Sequence, residues 1–419
     1  MTSLAIADID LSDIEFWAKP EAEREAVFKL LRDEAPITFY DEVLIEGFPQ
    51  GPGYWALTRY ADVMHVSRHP ELFCSGRGGT NIGDIPQELA EFLGSIINMD
   101  DPRHKKLRGL VNSGFGPKQL NQLLDQVQVR AAGVIDAVEA KGECDFVSEI
   151  AALLPLQLVC DMVGVPPELE QSVFAQTNVI LGVGDPEYVQ TMEDLMAAGM
   201  ELFQYGLALA EDRLATPRDD ITTALMHAEV EDVQGRHRLS ASELGSFFLL
   251  LVVAGNETTR NAISHGMLAL TQHPGQKQRW IDDFETIAPT AVEEIVRWST
   301  PVIHFRRTAT RDTVVAGQEV RAGEKVVLFY NSANRDEFVF DEPFRFDVRR
   351  TPNEHVGFGA GGPHFCLGAN LARREIRVMF EELLRRLPDL EITGEPAMLQ
   401  SGFIHGIKRM PCAWRTVRE

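Results

Sequence analysis

The chain has 419 residues, of which 44% are hydrophobic and 25% are charged, proportions that are ordinary for a globular protein with a large core. Its 63 acidic residues outnumber its 40 basic ones and give a formal net charge of -23, which disfavours binding to nucleic acid and to anionic membrane surfaces. The five cysteines are widely separated and include no CxxC pair, so they predict reduced thiols in a cytoplasmic protein rather than a disulfide framework.

The sequence shows no pattern typical of export, membrane insertion or division into domains. The first residues contain no basic segment ahead of an apolar run, so no secretory signal is predicted. The longest apolar run, 247–254, is much shorter than the roughly 20 residues that cross a bilayer. No linker, low-complexity tract or repeat divides the sequence. We therefore expect a single domain over residues 1–419, without a transmembrane anchor.

Helical periodicity dominates the sequence from the turn at Asp100–His104 to about Trp298. After Pro301, short apolar runs separated by Gly317 and Gly323 predict strands. The elements predicted outside the long helical stretch are a helix at 21–34, strands at 37–40, 53–57, 302–310, 314–320 and 325–330, and a helix at 369–387. The pattern as a whole predicts a mainly α fold, with a large helical part and a small β-rich module.

The longest predicted helix covers residues 240–272, and it begins with the capping-box pattern Ser240-x-x-Glu243. Its pattern changes at Ala254-Gly-Asn-Glu-Thr-Thr259. A glycine inside a helix costs about 1 kcal/mol relative to alanine, and a threonine hydroxyl can bond to a backbone carbonyl instead of solvent. We expect a locally opened helix at a functional site here. A kinked packing helix is the alternative.

Cys366 lies in a glycine-rich loop, Phe358-Gly-Ala-Gly-Gly-Pro-His-Phe-Cys366-Leu-Gly368, which leads into a predicted helix. Glycines let a backbone approach a ligand closely, and the N-terminus of a helix stabilises a thiolate. A thiolate held in this way is the axial ligand expected of a haem iron that cleaves dioxygen. The alternative is a buried free cysteine in a turn.

The acid and hydroxyl of Glu257 and Thr258 lie side by side in the middle of the long helix. Such a pair can anchor a water molecule and pass protons to dioxygen bound nearby. Gly255 would leave room for a diatomic ligand.

Charged residues supply two further patterns. Glu294 and Arg297 share one face of a helix whose neighbours are apolar, so a buried pair with Arg350 as third member is predicted, in preference to a surface ion pair. Cations for haem propionates are available at His104, Arg108, Arg307 and His364, although each alone is also typical of a surface charge or a structural histidine.

Taken in order, these motifs resemble those of the soluble bacterial cytochromes P-450, which are haem-thiolate monooxygenases. The resemblance runs from Asp101-Pro-Arg-His-x-x-x-Arg108 through the motifs at 254–259, 294–297 and 332–336 to the cysteine loop. One departure is that Phe358 lies eight residues before Cys366, where the family loop has seven. The extra residue falls among glycines, so we expect a bulge that does not move the sulfur.

The resemblance implies a cytochrome P-450 fold, haem b and a set of residue roles. It makes Cys366 the iron ligand and Glu257 with Thr258 the acid–alcohol pair for oxygen activation. It makes Glu294, Arg297 and Arg350 a structural triad. The implied haem contacts are His104, Arg108, Ala254, Gly255, Arg307, Phe358, His364 and Gly368.

The substrate expectation also comes from resemblance. The cysteine loop and the segments 181–186, 251–261 and 403–408 are similar to actinobacterial members that oxidise the terminal methyl of methyl-branched lipids and of sterol side chains. The implied reaction uses O2 to hydroxylate an unactivated C–H bond of a hydrophobic lipid, isoprenoid or sterol side chain. Alternatives are a non-catalytic haem-binding sensor or carrier and a sterol side-chain oxidase.

Apolar segments and basic residues predict where substrate and electrons enter. The segments expected to wall the substrate pocket are 92–99, 179–184, 247–254, 302–305 and 403–404. His304 among them predicts either a polar contact to substrate or a hydrogen bond to backbone. Because no flavin or nicotinamide fingerprint is found, a ferredoxin and a ferredoxin reductase are expected as partners. Arg373, Arg374 and Arg377 are the predicted docking site, with a solvated helix face as the alternative.

Overall fold

Helices dominate the computed structural model, which describes residues 5–42, 50–114, 117–189, 191–232 and 235–416. They account for about 54% of the chain. In chain order they are α1 (Ile14–Ala18), α2 (Glu21–Glu34), α3 (Tyr60–Arg68), α4 (Gln87–Gly94), α5 (Arg103–Gly114), α6 (Pro117–Val138), α7 (Leu153–Val163), α8 (Glu170–Leu181), α9 (Met192–Ala215), α10 (Ile221–His227), α11 (Ala241–Gln272), α12 (Pro274–Asp282), α13 (Phe284–Ser299), α14 (Tyr330–Ala333) and α15 (Ala369–Arg386). Short 3₁₀ segments lie at Ile6–Asp8, Ser95–Asn98 and Pro167–Leu169, and a π-helical turn lies at Val147–Ala151.

Short strands form the minor part of the fold. They are β1 (Ile37–Tyr40), β2 (Tyr54–Leu57), β3 (Phe73–Cys74), β4 (Glu143–Asp145), β5 (Val230–Asp232), β6 (Gly235–His237), β7 (His304–Ala309), β8 (Thr313–Val315), β9 (Gln318–Val320), β10 (Lys325–Phe329), β11 (Glu391–Ile392), β12 (Ala397–Met398), β13 (Ile407–Arg409) and β14 (Pro411–Ala413). A five-stranded sheet has the order β1-β2-β10-β7-β3, in which only the β2–β10 pair is parallel. The predicted mainly α fold with a small β-rich module is confirmed.

One predicted strand, 314–320, is instead a hairpin of β8 and β9. The chain reverses at Ala316 and Gly317, whose φ angles are 46° and 89°. Two successive residues with positive φ form the tight turn whose twist suits a two-residue hairpin.

The prediction that α11 opens near residue 255 is wrong, because the helix is continuous from Ala241 to Gln272. It starts as predicted, with Ser240 and Glu243 forming a reciprocal capping box. The Thr258 hydroxyl donates to the carbonyl of Ala254, 2.8 Å away, without interrupting the helix. Packing along its length offsets the low helix propensity of its glycine and threonines.

Close contact with α9 explains one of the glycines of α11. A Cβ placed on Gly245 would lie 2.8 Å from the Phe203 ring, and a Cβ on Gly206 would lie 3.1 Å from the Cα of Gly245. These two glycines therefore allow the backbones of α9 and α11 to approach closely where the helices cross.

Two apolar clusters bury the two halves of α11 and leave its middle for polar groups. The N-terminal half, including Phe247, packs with residues of α5, α7 and α9 such as Leu202. The C-terminal half, including Ile263, packs with Ile295 of α13 and Phe380 of α15. The segment between the clusters, 254–261, carries the acid, the amides and the hydroxyls of the candidate site.

The predicted triad of charged residues forms at α13, which carries Glu294 and Arg297. Arg297 donates to both carboxylate oxygens of Glu294, at 2.7 and 2.8 Å, and Arg350 Nε lies 3.0 Å from Glu294 Oε2. Neither Glu294 nor Arg297 has exposed surface. The remaining donors of Arg297 are used by the carbonyls of Asn334 and Pro343, at 2.8 and 2.9 Å. These bonds satisfy the buried charges and fix the segments that precede the cysteine loop.

Candidate active site

The cysteine loop is shaped by its own backbone. The amide of Cys366 donates to the carbonyl of Phe358 across 2.9 Å, which closes the loop on itself. Gly361 and Gly362 both have φ angles of 80°. A Cβ on Gly362 would lie 2.3 Å from the carbonyl oxygen of Ser67, so a larger residue is excluded there. The additional residue is thus taken up in a glycine bulge.

Cys366 is accessible at the surface of a recess and is otherwise surrounded by protein. Desolvation in this enclosed position raises the pKa of its thiol, whereas the amide of Gly368 and the charges of Arg108 and Arg373 act to lower it. Gly368 caps α15, so the sulfur lies next to the N-terminus of that helix, as the sequence predicted.

Ala254 and Thr258 are the accessible positions of the central turn of α11. They are four residues apart and therefore lie on one helix face. Val253, beside Ala254, and Leu367, beside Cys366, pack against the same apolar cluster. This shared cluster places the middle of α11 and the cysteine loop against one part of the core.

Gly255, which was predicted to leave room for a diatomic ligand, also lies close to α7. A Cβ at this position would lie 3.3 Å from Val159 on α7. One helical step of about 100° separates this position from the accessible face that carries Ala254. Gly255 therefore allows close packing between α11 and α7, and its role beside a diatomic ligand stays a prediction.

Glu257 is buried, with 1% of its surface exposed, and is held by two residues that the sequence analysis did not single out. Its Oε1 accepts hydrogen bonds from Arg260 and, at 3.0 Å, from Asn261. Arg260 also donates to Asn178 Oδ1 on α8, at 2.7 Å. Their positions, three and four residues after Glu257, were the available sequence signal, since such residues share a helix face. Glu257 and Thr258 thus bond to different partners.

The predicted cationic side chains converge beside the cysteine loop. The imidazole rings of His104 and His364 have centroids 4.2 Å apart. Arg108 Nη2 donates to the carbonyl of Phe365 at 2.5 Å. Burial, followed by the charges of Arg307, His104 and Arg108, lowers the pKa of His364 to about 2. The structure therefore brings all four predicted residues together.

Two of these groups lack the partners that their burial requires. Arg307 is 4% exposed, and its Nη1 donates to the backbone carbonyl of Arg306 at 2.7 Å. No carboxylate in the described ranges forms an ion pair with it, and burial lowers its pKa. His104 Nε2 is also buried without a hydrogen-bond partner among the described residues. Because an uncompensated buried cation is costly, this cluster fits a cofactor that carries carboxylates.

His304 forms the backbone contact that was one of its two predicted alternatives. Its Nδ1 lies 2.9 Å from the carbonyl oxygen of Gly402, and its ring centroid is 5.5 Å from that of Phe403. Burial lowers the pKa of His304 to about 4, so the ring is neutral near pH 7.

A cavity of about 330 Å³ lies between α4, α5 and the first turns of α11. Residues from two of the predicted wall segments, 92–99 and 247–254, line it, among them Phe92, Met99 and Phe247. The segments 179–184, 302–305 and 403–404 are not part of its lining. Its volume and apolar rings suit a small hydrophobic ligand.

Two of the three arginines predicted to form a docking surface on α15 are paired with acids. Arg373 pairs with Glu293 at 2.5 Å, and Arg377 pairs with Glu285 at 2.7 Å. Although Glu293 is desolvated, hydrogen bonds from His355 and Arg373 lower its pKa to about 2. Both acids belong to α13, which packs against α15, and this long-range pairing has no local sequence signal.

A comparison with protein families identifies the fold and its chemistry. The family model described as Cytochrome P450 matches residues 171–397, more than half of the chain. The chain is a cytochrome P450. This cytochrome P450 is accordingly a monooxygenase with haem b as its cofactor, and the cluster around Arg307 and His104 fits the carboxylates of that cofactor.

Known relatives resemble this cytochrome P450 over nearly its whole length. It is 51% identical over 412 residues to the methyl-branched lipid omega-hydroxylase of Mycobacterium tuberculosis, an alignment that covers 98% of this chain and 95% of the relative. It is 40% identical over 411 residues to the steroid C26-monooxygenase of Rhodococcus jostii, with 97% and 85% covered. The structure of Mycobacterium marinum cytochrome P450 CYP268A2 in complex with pseudoionone superposes with a TM-score of 0.91 at 43% identity, covering 99% of this chain and 100% of the other.

Among the described residues of this cytochrome P450, no helix combines the length and the apolar character needed to cross a membrane.

Three buried histidines make the stability of this cytochrome P450 depend on pH. Burial lowers the pKa of His304 to about 4 and the pKa values of His265 and His405 to about 3. The unfolded value is about 6.5, so the unfolded chain takes up protons first as pH falls. Their contribution to stability is complete above about pH 6.5 and is lost as pH falls from there towards about 3 to 4.

We expect the free energy of unfolding to decrease as pH falls through this window, and to decrease less steeply in His304→Gln. The slope should differ by up to about 1.4 kcal/mol per pH unit, because the variant has one fewer titrating group. Glutamine retains a donor for the Gly402 carbonyl. Urea unfolding between about pH 4.5 and 7.5 measures the slope. His65→Gln, at an exposed side chain, is the control that should keep the wild-type slope. Equal slopes in His304→Gln and wild type would contradict the assignment.

Proposed function

We propose that this cytochrome P450, acting as a single domain of residues 1–419, hydroxylates the terminal methyl group of a methyl-branched lipid. In this proposal Cys366 ligates the haem iron, while Glu257 and Thr258 manage protons. The proposed haem contacts are His104, Arg108, Ala254, Gly255, Arg307, Phe358, His364 and Gly368. The observation that carries the haem-binding part of the proposal is the buried cation of Arg307, which has no described carboxylate partner and lies in the cluster beside the cysteine loop.

In this proposal Thr258 and Glu257 transfer protons during the reaction. When bound, the haem supplies the iron at which dioxygen is cleaved. Thr258 Oγ1 donates to the Ala254 carbonyl and keeps its lone pairs free to accept a hydrogen bond on the accessible face of α11. Glu257 Oε2 is buried without a partner in the described ranges, while Oε1 is held by Arg260. We infer that Glu257 passes protons towards Thr258 through solvent after turning away from Arg260.

The substrate class rests on similarity and on the apolar cavity. The relative with 51% identity is a methyl-branched lipid omega-hydroxylase, and the structural neighbour with a TM-score of 0.91 is in complex with pseudoionone. The rings of Phe92 and Phe247 line one part of the cavity beside α11 and suit a hydrocarbon chain, while charged side chains such as Glu91 and Arg103 line another part. The steroid C26-monooxygenases are similar at a lower identity of 40%, so a sterol side chain is the second candidate.

The electron donor in this proposal is a ferredoxin, reduced in turn by a ferredoxin reductase. The sequence contains no flavin or nicotinamide fingerprint, so reducing equivalents have to arrive from another protein. Because Arg373 and Arg377 are paired with Glu293 and Glu285, they contribute little net charge to docking. Arg374 forms no ion pair with a described carboxylate and is the remaining candidate of the three.

Replacing Thr258 with alanine should uncouple electron consumption from product formation. The variant should still be reduced, yet its product per electron should fall by at least about tenfold, with the electrons recovered as hydrogen peroxide, because the hydroxyl that receives and delivers the proton is gone. Consumption of reduced nicotinamide cofactor in a reconstituted electron chain, product yield and peroxide yield are measured together. Thr258→Ser retains the hydroxyl and is the control, with coupling near wild type. An unchanged product yield per electron in Thr258→Ala would rule out this role.

The shift of the haem Soret band reports substrate preference. We expect a blue shift with methyl-branched fatty acids and acyclic isoprenoids, at dissociation constants at least about tenfold below those of linear acids of equal carbon number, because a branched end buries more apolar surface than a linear end does. Sterols, as the second candidate substrates, are titrated in the same way. Tighter binding of sterols than of branched chains would replace the proposed substrate with a sterol side chain, and no shift with any lipid would reject both.

A further inference from the structure

Two free cysteines face each other across a pair of antiparallel strands, far from the candidate active site in sequence. Cys412 of β14 is the direct partner of Cys144 in β4, and their sulfur atoms are 3.6 Å apart. Directly opposed residues of antiparallel strands have Cα atoms about 4.5 to 5.5 Å apart. A disulfide needs about 4.4 to 6.8 Å. The backbone is therefore already in place, and only side-chain rotation separates this pair from a bond.

Hydrogen bonds on both sides fix the register of the two strands. The amide of Phe146 donates to the carbonyl of Met410 at 2.8 Å, and the amide of Trp414 donates to the carbonyl of Gly142 at 2.9 Å. The side chain of Asp145 accepts from the Met410 amide at 2.7 Å. Because the pairing is held at each end, neither strand can slip by a residue and carry its sulfur to the opposite face.

We propose that Cys144 and Cys412 form a disulfide on exposure to an oxidant and so fasten the last strand, β14, to β4. With a hydroperoxide as oxidant, the Cys144 sulfur attacks a peroxide oxygen, the O–O bond breaks, and one water leaves when hydrogen peroxide is used. The Cys412 sulfur then displaces the second oxygen as water and forms the S–S bond. Two S–H bonds are lost, and two electrons pass from the sulfurs to the peroxide.

The surroundings of the pair make this reaction slow and conditional. The hydrogen bond that Cys144 shares with Cys412, together with burial, raises the pKa of the Cys144 thiol, and the neighbouring carboxylates of Glu149 and Asp145 act in the same direction. Little thiolate is therefore present near neutral pH, and the thiolate is the species that reacts. The pair therefore stays reduced in a reducing compartment and closes only on sustained exposure to an oxidant.

The bond would join positions 268 residues apart in the sequence. A cross-link that closes so long a loop restricts the unfolded chain strongly and raises stability where it causes no native strain. β14 follows the segment that carries His405, whose ring stacks on His265 of α11 with centroids 4.0 Å apart. The same segment pairs Ile404 with Val302. The cross-link would therefore hold the chain shortly after it passes α11 and Val302, which lies just before β7.

Mass spectrometry of the oxidised holoprotein tests the proposal. The haem-loaded protein is treated with diamide, whose N=N bond takes up the two thiol hydrogens, then alkylated and digested without reductant. We expect the peptides that contain Cys144 and Cys412 to appear joined, lighter by two hydrogens than their sum, and to separate on addition of dithiothreitol. Cys144→Ser should abolish the joined peptide. Cys160→Ser, at another buried cysteine, should leave its yield unchanged.

The melting temperature of the same samples provides an independent readout. The cross-linked wild type should melt a few degrees above its reduced form, whereas Cys144→Ser should melt equally with and without diamide. Full alkylation of both cysteines after diamide treatment would overturn the proposal. A cross-link confined to other cysteine pairs, or a cross-linked protein that melts below its reduced form, would overturn it as well. These outcomes do not depend on the substrate of the enzyme.

Discussion

A buried positive charge beside the cysteine loop is the constraint on which this structure depends. Arg307 is enclosed by protein and forms no ion pair with a described carboxylate, and the neighbouring His104 has a buried nitrogen without a described partner. Such groups are stable only where an anion compensates them. The carboxylates of haem b would meet this requirement, and haem bound there would stabilise the fold. The triad of Glu294, Arg297 and Arg350 differs in that its charges are satisfied within the chain.

Helix α11 joins the hydrophobic core to the residues of the candidate active site. Its two ends are anchored in separate apolar clusters, and the polar residues lie at the turn between them. The hydroxyl of Thr258 donates to the helix backbone, and one oxygen of the Glu257 carboxylate, Oε1, accepts from Arg260 and Asn261. Both groups are thus available for proton transfer without disrupting the helix. The fold supplies a rigid support, and mobility is needed only in the Glu257 side chain.

Local patterns in the sequence were sufficient for much of the fold and for the composition of the site. The capping box at Ser240, the pairing of Glu294 with Arg297, and the glycine bulge before Cys366 all depend on residues close together in the chain. Interactions across the fold were not predictable. The neutralisation of Arg373 by Glu293 and the contact between Cys144 and Cys412 require helices and strands that meet only in the folded protein. Two other contacts, that of Gly255 with Val159 and the hydrogen bond from Arg260 to Glu257, follow from helix geometry. Both were predictable from the sequence on the assumption of a continuous helix.

The central claim is that the sulfur of Cys366 binds the haem iron, and the absorption spectrum of the reduced, carbon-monoxide-saturated holoprotein tests it most directly. We predict the red-shifted Soret band that is diagnostic of a thiolate-bound carbon monoxide adduct, and its loss in Cys366→His with haem still incorporated. A wild-type protein that contains haem but gives the Soret band of a histidine-ligated adduct would contradict the account.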